Sequence, residues 1–331
     1  MKAAVISSPG VVDVETVDDP APGPGQVVVE VAACGICATD LHVLEDHFLT
    51  ALPFIPGHEF AGEVVAVGAG VTGLRVGDRV AVDPSLPCRR CTACRLGPGA
   101  VCPRHRVIGV ATPGGAAEYA SVPAANCLRL PDDVPVREAA LIEPLSCAVP
   151  GYDLLRARPG ASVLVYGAGT MGLMMLQLAE RTGAASVDVI DPNGPRLAAA
   201  RRLRRTRAVM TADDIDRPDG WDVVIDATGN ERVVEEALPR VATGGVYLRT
   251  GASDQATRAV VDAIHLRERD ITVADSARGP DSYRRAADLF AAGALAPRSL
   301  ISHRMPLSDY PMAIKTLLAG HGHKIVVIPG S

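Results

Sequence analysis

"SVLVYGAGTMGLMMLQLAERTGAASVDVID", residues 162–191, decides the fold. It opens on the apolar run Ser162 to Tyr166, which reads as a buried strand. Gly167, Gly169 and Gly172 follow in the order G-x-G-x-x-G. "LMMLQLAERTG" then carries a helical pattern, and "SVDVID" is a second strand closing on Asp191, nineteen residues past Gly172. Strand, glycine turn, helix, strand and acid together form a dinucleotide-binding fingerprint. The glycines let the backbone approach a pyrophosphate, and the helix start offers it free N–H groups. Asp191 is suited to accept both ribose hydroxyls of NAD and to repel the extra phosphate of NADP. Thr170 and Met171 inside the turn, and Arg196 beyond the acid, complete the candidate cofactor-binding set.

The uncharged stretch from Gly160 to Ala179 is as long as a membrane span, but its glycines and strand-like first half argue against a transmembrane helix. Downstream, the alternation continues through "AVM" near 208, "DVVIDATG" at 222–229, "GGVYLRTG" at 244–251 and "DITVAD" at 270–275. With the first two, these make six candidate strands, the count of a doubly wound parallel sheet. Residues 231–240 read as a helix between them. "SYRRAADLFAAGAL" is the last helix-like stretch, and "KIVVIP", beyond the six, returns to another domain. At 331 residues the chain exceeds one ordinary core. Two domains are expected, 151–287 and a second made of 1–150 with 288–331.

That second domain contains "GEVVAVG" and "GDRVAVD", alternating β-branched runs of a small, mostly antiparallel β structure. Gly62 and Gly68 mark bends in its curved sheet. Only four Phe, six Tyr and one Trp are present, so the cores must be built from Val, Leu, Ile and Ala. A net charge of −5 offers no general attraction for nucleic acid or anionic lipid. The N-terminus "MKAAVISSPG" lacks the pattern of a signal peptide. A reducing cytoplasm is expected, where stable disulfides are not.

"CRRCTACRLGPGAVC", residues 88–102, holds Cys88, Cys91, Cys94 and Cys102. The C-x2-C steps let neighbouring thiolates converge on one tetrahedral zinc, and four protein ligands leave no position open for chemistry. Arg89, Arg90, Arg95, Arg104 and Arg106 surround the cluster, as in a nucleic-acid finger. The following "LGPGAVCPRH" is turn-rich, however, and gives no recognition helix. A second cluster lies upstream in "GICATDLH", 35–42, and "GHEFAGEVVAVGAGV", 57–71. Cys37, His58 and Glu59 are competent zinc ligands, though each alone also fits a loop or core role, and spacing does not decide between them. Cys34 and Cys127 sit in apolar runs and read as core. Cys147 follows Glu143 by four residues; facing the same site is its minority reading.

Taken together, "GICATDLH", "GHEFAGEVVAVGAGV", the cysteine lobe, "IEPLSC", "GAGTMG" and "KIVVIP" resemble, in order and nearly end to end, the zinc-dependent medium-chain alcohol and polyol dehydrogenases. The resemblance implies a GroES-like catalytic domain beside a Rossmann domain, with 88–102 as a structural-zinc lobe. It implies that Cys37 and His58 bind a catalytic zinc, with Glu59 and Glu143 as direct or switching ligands. The Glu-Pro form of "IEPLSC" resembles the sorbitol and threonine dehydrogenase branches. Asp40 would orient His58, and Thr39 and His42 would relay a proton. Two zinc ions per chain, NAD ahead of NADP, an alcohol or ketone substrate, and a homodimer or homotetramer are implied. So is hydride transfer between a secondary alcohol or polyol and NAD(P), through an alkoxide held on zinc. An amino alcohol or a specialised cyclic alcohol is the alternative substrate.

Several positions depart from the family pattern. Ala38 stands where Gly is usual, Arg89 replaces the Gly after the first lobe cysteine, and "RRLRRTRAV" lacks the usual Gly-Ala. "EDHFLTALPF" at 45–54 matches no one substrate class. Zinc-free quinone reductases of the same superfamily lack the Cys37, His58 and Glu59 set. A non-catalytic nucleotide sensor would not need Thr39 and His42.

Overall fold

The computed structural model describes residues 1–45, 51–96, 102–155, 157–203, 206–251, 258–276, 279 and 281–330. The chain divides into two units. One comprises Met1–Pro144, Gly279–Ala292 and Ile301–Ser331, the other Leu145–Arg278 and Gly293–Leu300. No helix among the described residues is long and apolar enough to cross a membrane.

In the second unit the six expected strands form one sheet. Its order across the sheet is Thr206–Val209, Ser186–Ile190, Ser162–Tyr166, Trp221–Asp226, Val241–Arg249 and Thr272–Asp275. Every neighbouring pair runs parallel. The strand Ser162–Tyr166 is buried at all five positions. That is why its sequence is continuously apolar rather than alternating. It lies beside Ser186–Ile190 on one side and Trp221–Asp226 on the other. The strand order therefore reverses at this strand, which is where such sheets bind ligands. Residues 231–240 are helical as expected, ending in a tighter 3₁₀ turn from Leu238 to Arg240.

The first unit is built on a curved, mostly antiparallel sheet. Its strands run in the order His303–Pro306, Ile325–Ile328, Gln26–Ile36, Glu59–Val67, Arg79–Val82 and Cys127–Arg129, with Tyr119–Pro123 also paired to Gln26–Ile36. The C-terminal run pairs antiparallel with Gln26–Ile36, setting Ile325 opposite Ile36. The core includes Val27, Val29, Val31, Val64, Val80, Val82, Ile325 and Val327, with the rings of Phe54, Phe60 and Tyr310 among them. Aliphatic side chains thus fill most of this core, as the scarcity of aromatics required. Gly62 acts by close approach rather than by a positive φ: a Cβ there would collide with the Glu30 carbonyl on the neighbouring strand. The strand pairing shifts register at this point, between Val31 and Ala33.

Candidate active site

Three residues come together at one end of the two central strands of the first unit's sheet, Gln26–Ile36 and Glu59–Val67. One donor atom from each of Cys37, His58 and Glu59 lies within 4.8 Å of the other two. The sequence places them there by local devices. Cys37 caps the short helix Ala38–Leu44, its sulfur accepting the Thr39 N–H at 3.3 Å. Asp40 closes the capping box by accepting the Cys37 N–H at 2.9 Å. His58 and Glu59 follow Gly57, whose φ is +98°. A side chain at Gly57 would be strained and would press on Cys34 Sγ and the Ala116 backbone. Gly35 lies opposite Glu59 in the strand pair, and a Cβ there would occupy the space of the Glu59 carboxylate.

Cys37 Sγ and His58 Nε2 are 3.2 Å apart, so both point at one spot. On the far side of the ring, His58 Nδ1 lies 3.5 Å from Asp40 Oδ1. Asp40 thus touches both neighbours, the Cys37 backbone through one oxygen and His58 through the other. His58 and Asp40 are buried. Burial alone would lower the pKa of His58, but Cys37 and Asp40 on either side override it and hold the pKa well above the usual imidazole value. A thiolate, an imidazole and a carboxylate converging in this way fit a zinc ion. Asp40 lies behind the ring, where the outer partner of a metal-bound histidine would sit.

Lys324 also belongs to this centre, and sequence reading did not find it. Its ammonium is 2.6 and 2.8 Å from the two Glu59 oxygens and 3.2 Å from the Ile36 carbonyl. Both side chains are 2% exposed. Burial alone would lower the Lys324 pKa, but Glu59 beside it reverses the direction, and the net shift is upward. Burial, with the Glu143 charge nearby, pushes the Glu59 carboxyl up more than Lys324 pulls it down, so the pair is identified by its short contacts and shared burial, with its carboxylate held against a desolvation cost. The only sequence signal was a lysine directly preceding an apolar strand, which ordinarily marks a solvated strand end.

Glu143 is 4% exposed, and its charge acts on both Glu59 and Lys324. It is not one of the three converging ligands. Thr39 and His42 are half-buried on the same helix as the Cys37 cap. Three residues apart, they share a face. Cys147 is half-buried, and its carbonyl accepts from the Ser276 hydroxyl. Cys34 is buried among Val31, Ile36 and Phe60, and Cys127 packs against the same core. Of the substrate-loop stretch 45–54, residues 46–50 lie outside the described residues.

In the lobe, the sulfurs of Cys88, Cys91, Cys94 and Cys102 lie within 4.8 Å of one another. Recorded separations are 3.5 Å for Cys91 to Cys94, 3.8 Å for Cys91 to Cys102 and 4.0 Å for Cys88 to Cys94. These exceed a disulfide bond. They match the roughly 3.8 Å between sulfurs at the corners of a tetrahedral zinc thiolate site. Backbone N–H groups of Arg90 and Cys91 point at Cys88 and lower its pKa to about 6. Cys94, desolvated among the other sulfurs, is pushed up to about 12. Arg89 sits in the left-handed region with φ +56°. The turn between the first two cysteines therefore demands a conformation that suits glycine, and this chain meets it with arginine.

In the second unit each glycine of the turn has its own function. Gly167 has φ +93°, Gly172 has its Cα so near the Gly167 carbonyl that no Cβ would fit, and Gly169 faces open space. The twelve-residue helix Thr170–Arg181 starts at Gly169 with no side chain capping it. Gly169, Thr170 and Met171 are half-exposed there. A pyrophosphate fits this cradle. Asp191 is 3% exposed and accepts the Ala168 N–H and the Asn193 N–H, each at 2.7 Å. Its carboxylate thus ties the second strand to the glycine turn. Arg196 is half-buried on the next helix, its N–H bonded to Asn193.

Comparison with known proteins agrees with both units. Residues 23–132 match the alcohol dehydrogenase GroES-like domain, and residues 170–292 match the zinc-binding dehydrogenase family. D-arabinitol dehydrogenase 1 of Uromyces fabae is 32% identical over 92% of this chain and 90% of its own. D-altritol 5-dehydrogenase of Agrobacterium fabrum is 37% identical over 86% and 87%. A zinc-binding dehydrogenase of Sinorhizobium meliloti, solved with NADP, superposes with a TM-score of 0.94 at 33% identity over 99% of both chains. The chain belongs to the zinc-dependent medium-chain alcohol and polyol dehydrogenase family.

Proposed function

We propose that the protein interconverts a secondary hydroxyl of an acyclic polyol and the corresponding ketone, with NAD as the preferred hydride carrier. The observation that carries this is the convergence of Cys37, His58 and Glu59, backed by Asp40, in a chain of this family. The named relatives act on D-arabinitol and D-altritol, which supports a polyol over an amino alcohol or a simple alcohol.

Zinc held by Cys37, His58 and Glu59 supplies Lewis acidity that lowers the pKa of a substrate hydroxyl. The protein's own groups do the rest. Asp40 keeps the proton of His58 on Nδ1, leaving Nε2 as the ligand atom. Thr39, the cofactor ribose and His42 relay the hydroxyl proton away from the substrate. Cys88, Cys91, Cys94 and Cys102 hold a second zinc that shapes the lobe. Gly167, Gly169, Thr170, Met171 and Gly172 cradle the pyrophosphate. Asp191 receives the ribose hydroxyls. Arg196, together with the NADP in the solved relative, supports a second reading in which the 2′-phosphate is tolerated. The chain works as a homodimer or homotetramer. In support, the edge strand Thr272–Asp275 carries Val273 at 52% exposure.

The test is nicotinamide absorbance with purified protein, NAD or NADP, and a panel of pentitols, hexitols, amino alcohols and simple secondary alcohols. Pentitol or hexitol turnover with NAD is expected. Turnover confined to simple or amino alcohols would overturn the substrate reading, and faster NADP reduction would overturn the cofactor preference.

A further inference from the structure

Asp40 Oδ1 and His58 Nδ1 face each other at 3.5 Å, too far for a good hydrogen bond, and the buried Tyr310 hydroxyl has no hydrogen-bond partner among the described residues. Leaving even one such atom unpaired inside a protein is costly. An unmet hydroxyl near an under-satisfied pair points to one missing connection. Their chemistry is complementary. With Nε2 facing the ligand position, His58 Nδ1 carries a proton and is a donor. Tyr310, 1% exposed, is a donor through its O–H. Asp40 Oδ1 is an acceptor with room for two donors.

The fold brings Tyr310 to this place from a remote part of the chain. It opens the helix Tyr310–Leu318 and shares one core cluster with Cys34, Ile36, Val43 and Leu44. Those four residues bracket the Cys37–Asp40 segment on both sides. Burial pushes the Tyr310 pKa well up, and the charges of Asp40, Cys34 and Cys37 push it further, so the hydroxyl keeps its proton and lies within their field. The Tyr310 hydroxyl makes no direct hydrogen bond among the described residues. One ordered water between the hydroxyl and Asp40 would satisfy both.

We propose that Tyr310 is a positioning residue of the metal centre: through a buried water its hydroxyl donates to Asp40 Oδ1, and the loaded carboxylate in turn holds His58 Nδ1–H and fixes the imidazole. This rests on the reading that Cys37, His58 and Glu59 bind zinc. Outer partners of metal-ligating histidines change metal affinity by about 10–100-fold when removed. Tyr310 acts one link further out, and its loss is expected at the low end of that range.

The test compares wild type, Tyr310→Phe, Asp40→Asn and the double variant by chelator competition for zinc without substrate. The cobalt-substituted visible spectrum and thermal unfolding are recorded in parallel. Tyr310→Phe fills the same space and removes only the oxygen. It should weaken the Cys37-site zinc about 10-fold, shift the cobalt spectrum, and leave the lobe zinc unchanged. In the Asp40→Asn background it should add little, because the two act in series. Unchanged zinc affinity in Tyr310→Phe, with Asp40→Asn weakened, would overturn the inference alone. So would equal weakening of both zinc sites, which marks a purely structural role. If neither Asp40→Asn nor Cys37→Ser alters zinc content, the zinc-site reading beneath it fails.

Discussion

Replacing Lys324 by Met is the sharpest probe of the Glu59 side of the centre. Met keeps most of the side-chain volume and removes the ammonium that contacts both Glu59 oxygens at 2.6 and 2.8 Å. With both side chains 2% exposed, solvent cannot replace the lost partner. Removing one member of a buried pair leaves an uncompensated charge and costs about 3–5 kcal/mol. At about 2–4 °C per kcal/mol for a unit of 150–250 residues, Tm should fall by roughly 6–20 °C. The assay is thermal and denaturant unfolding of the zinc-free protein, where Lys324 is the cation in contact with Glu59, alone and with Glu59→Gln added. The double variant has no stranded charge and should recover most of the loss, giving a large coupling energy. The pH dependence has a definite sign. The pKa of Lys324 is raised in the fold, so its contribution is fully present below the unfolded value of about 10.4 and is lost as pH rises through the higher folded value. The gap between wild type and Lys324→Met should therefore stay flat from neutral pH to about 10 and narrow above it. A loss under about 1 kcal/mol, or no recovery in the double variant, would refute the assignment of a buried ion pair.

Other expectations concern the lobe and the nucleotide turn. Arg89→Gly should stabilise the protein by about 0.5–1 kcal/mol. It relieves about 1–2 kcal/mol of left-handed strain and gives back part of that through the looser unfolded glycine; a lower denaturation midpoint would contradict this. Elemental analysis should find two zinc ions per chain, with Cys94→Ser and Cys37→Ser each removing one, and only Cys37→Ser should abolish turnover with the fold intact. Asp191→Gly should shift the NAD to NADP ratio of kcat/KM towards NADP by about 10–100-fold, the worth of hydrogen bonds to a charged group; an unchanged ratio would mean that the acid does not meet the ribose.

What the sequence made legible is what depends on neighbours in the chain. The G-x-G-x-x-G turn can be read because each glycine answers a demand set within a few residues. Gly167 needs a positive φ, Gly172 needs contact with the Gly167 carbonyl, and Gly169 leaves its space empty. The four lobe cysteines are legible for the same reason, since short steps alone bring thiolates within reach of one ion. Cys37 and Asp40 form a capping box three residues apart, so their joint placement is local too. Lys324 and Gly35 are different. Lys324 is buried because the C-terminal strand pairs Ile325 with Ile36, a register fixed by the whole sheet. Gly35 matters because the same central strand sets it opposite Glu59. Neither requirement leaves a spacing pattern, as 265 residues separate Lys324 from Glu59. A centre whose ligands are locally positioned is therefore neutralised non-locally. Glu59 has a buried cationic partner 2.6 Å away, so on the proposed reading a zinc ion would share its carboxylate with the ammonium. The strength of that sharing, set by Lys324, decides how firmly the third ligand holds.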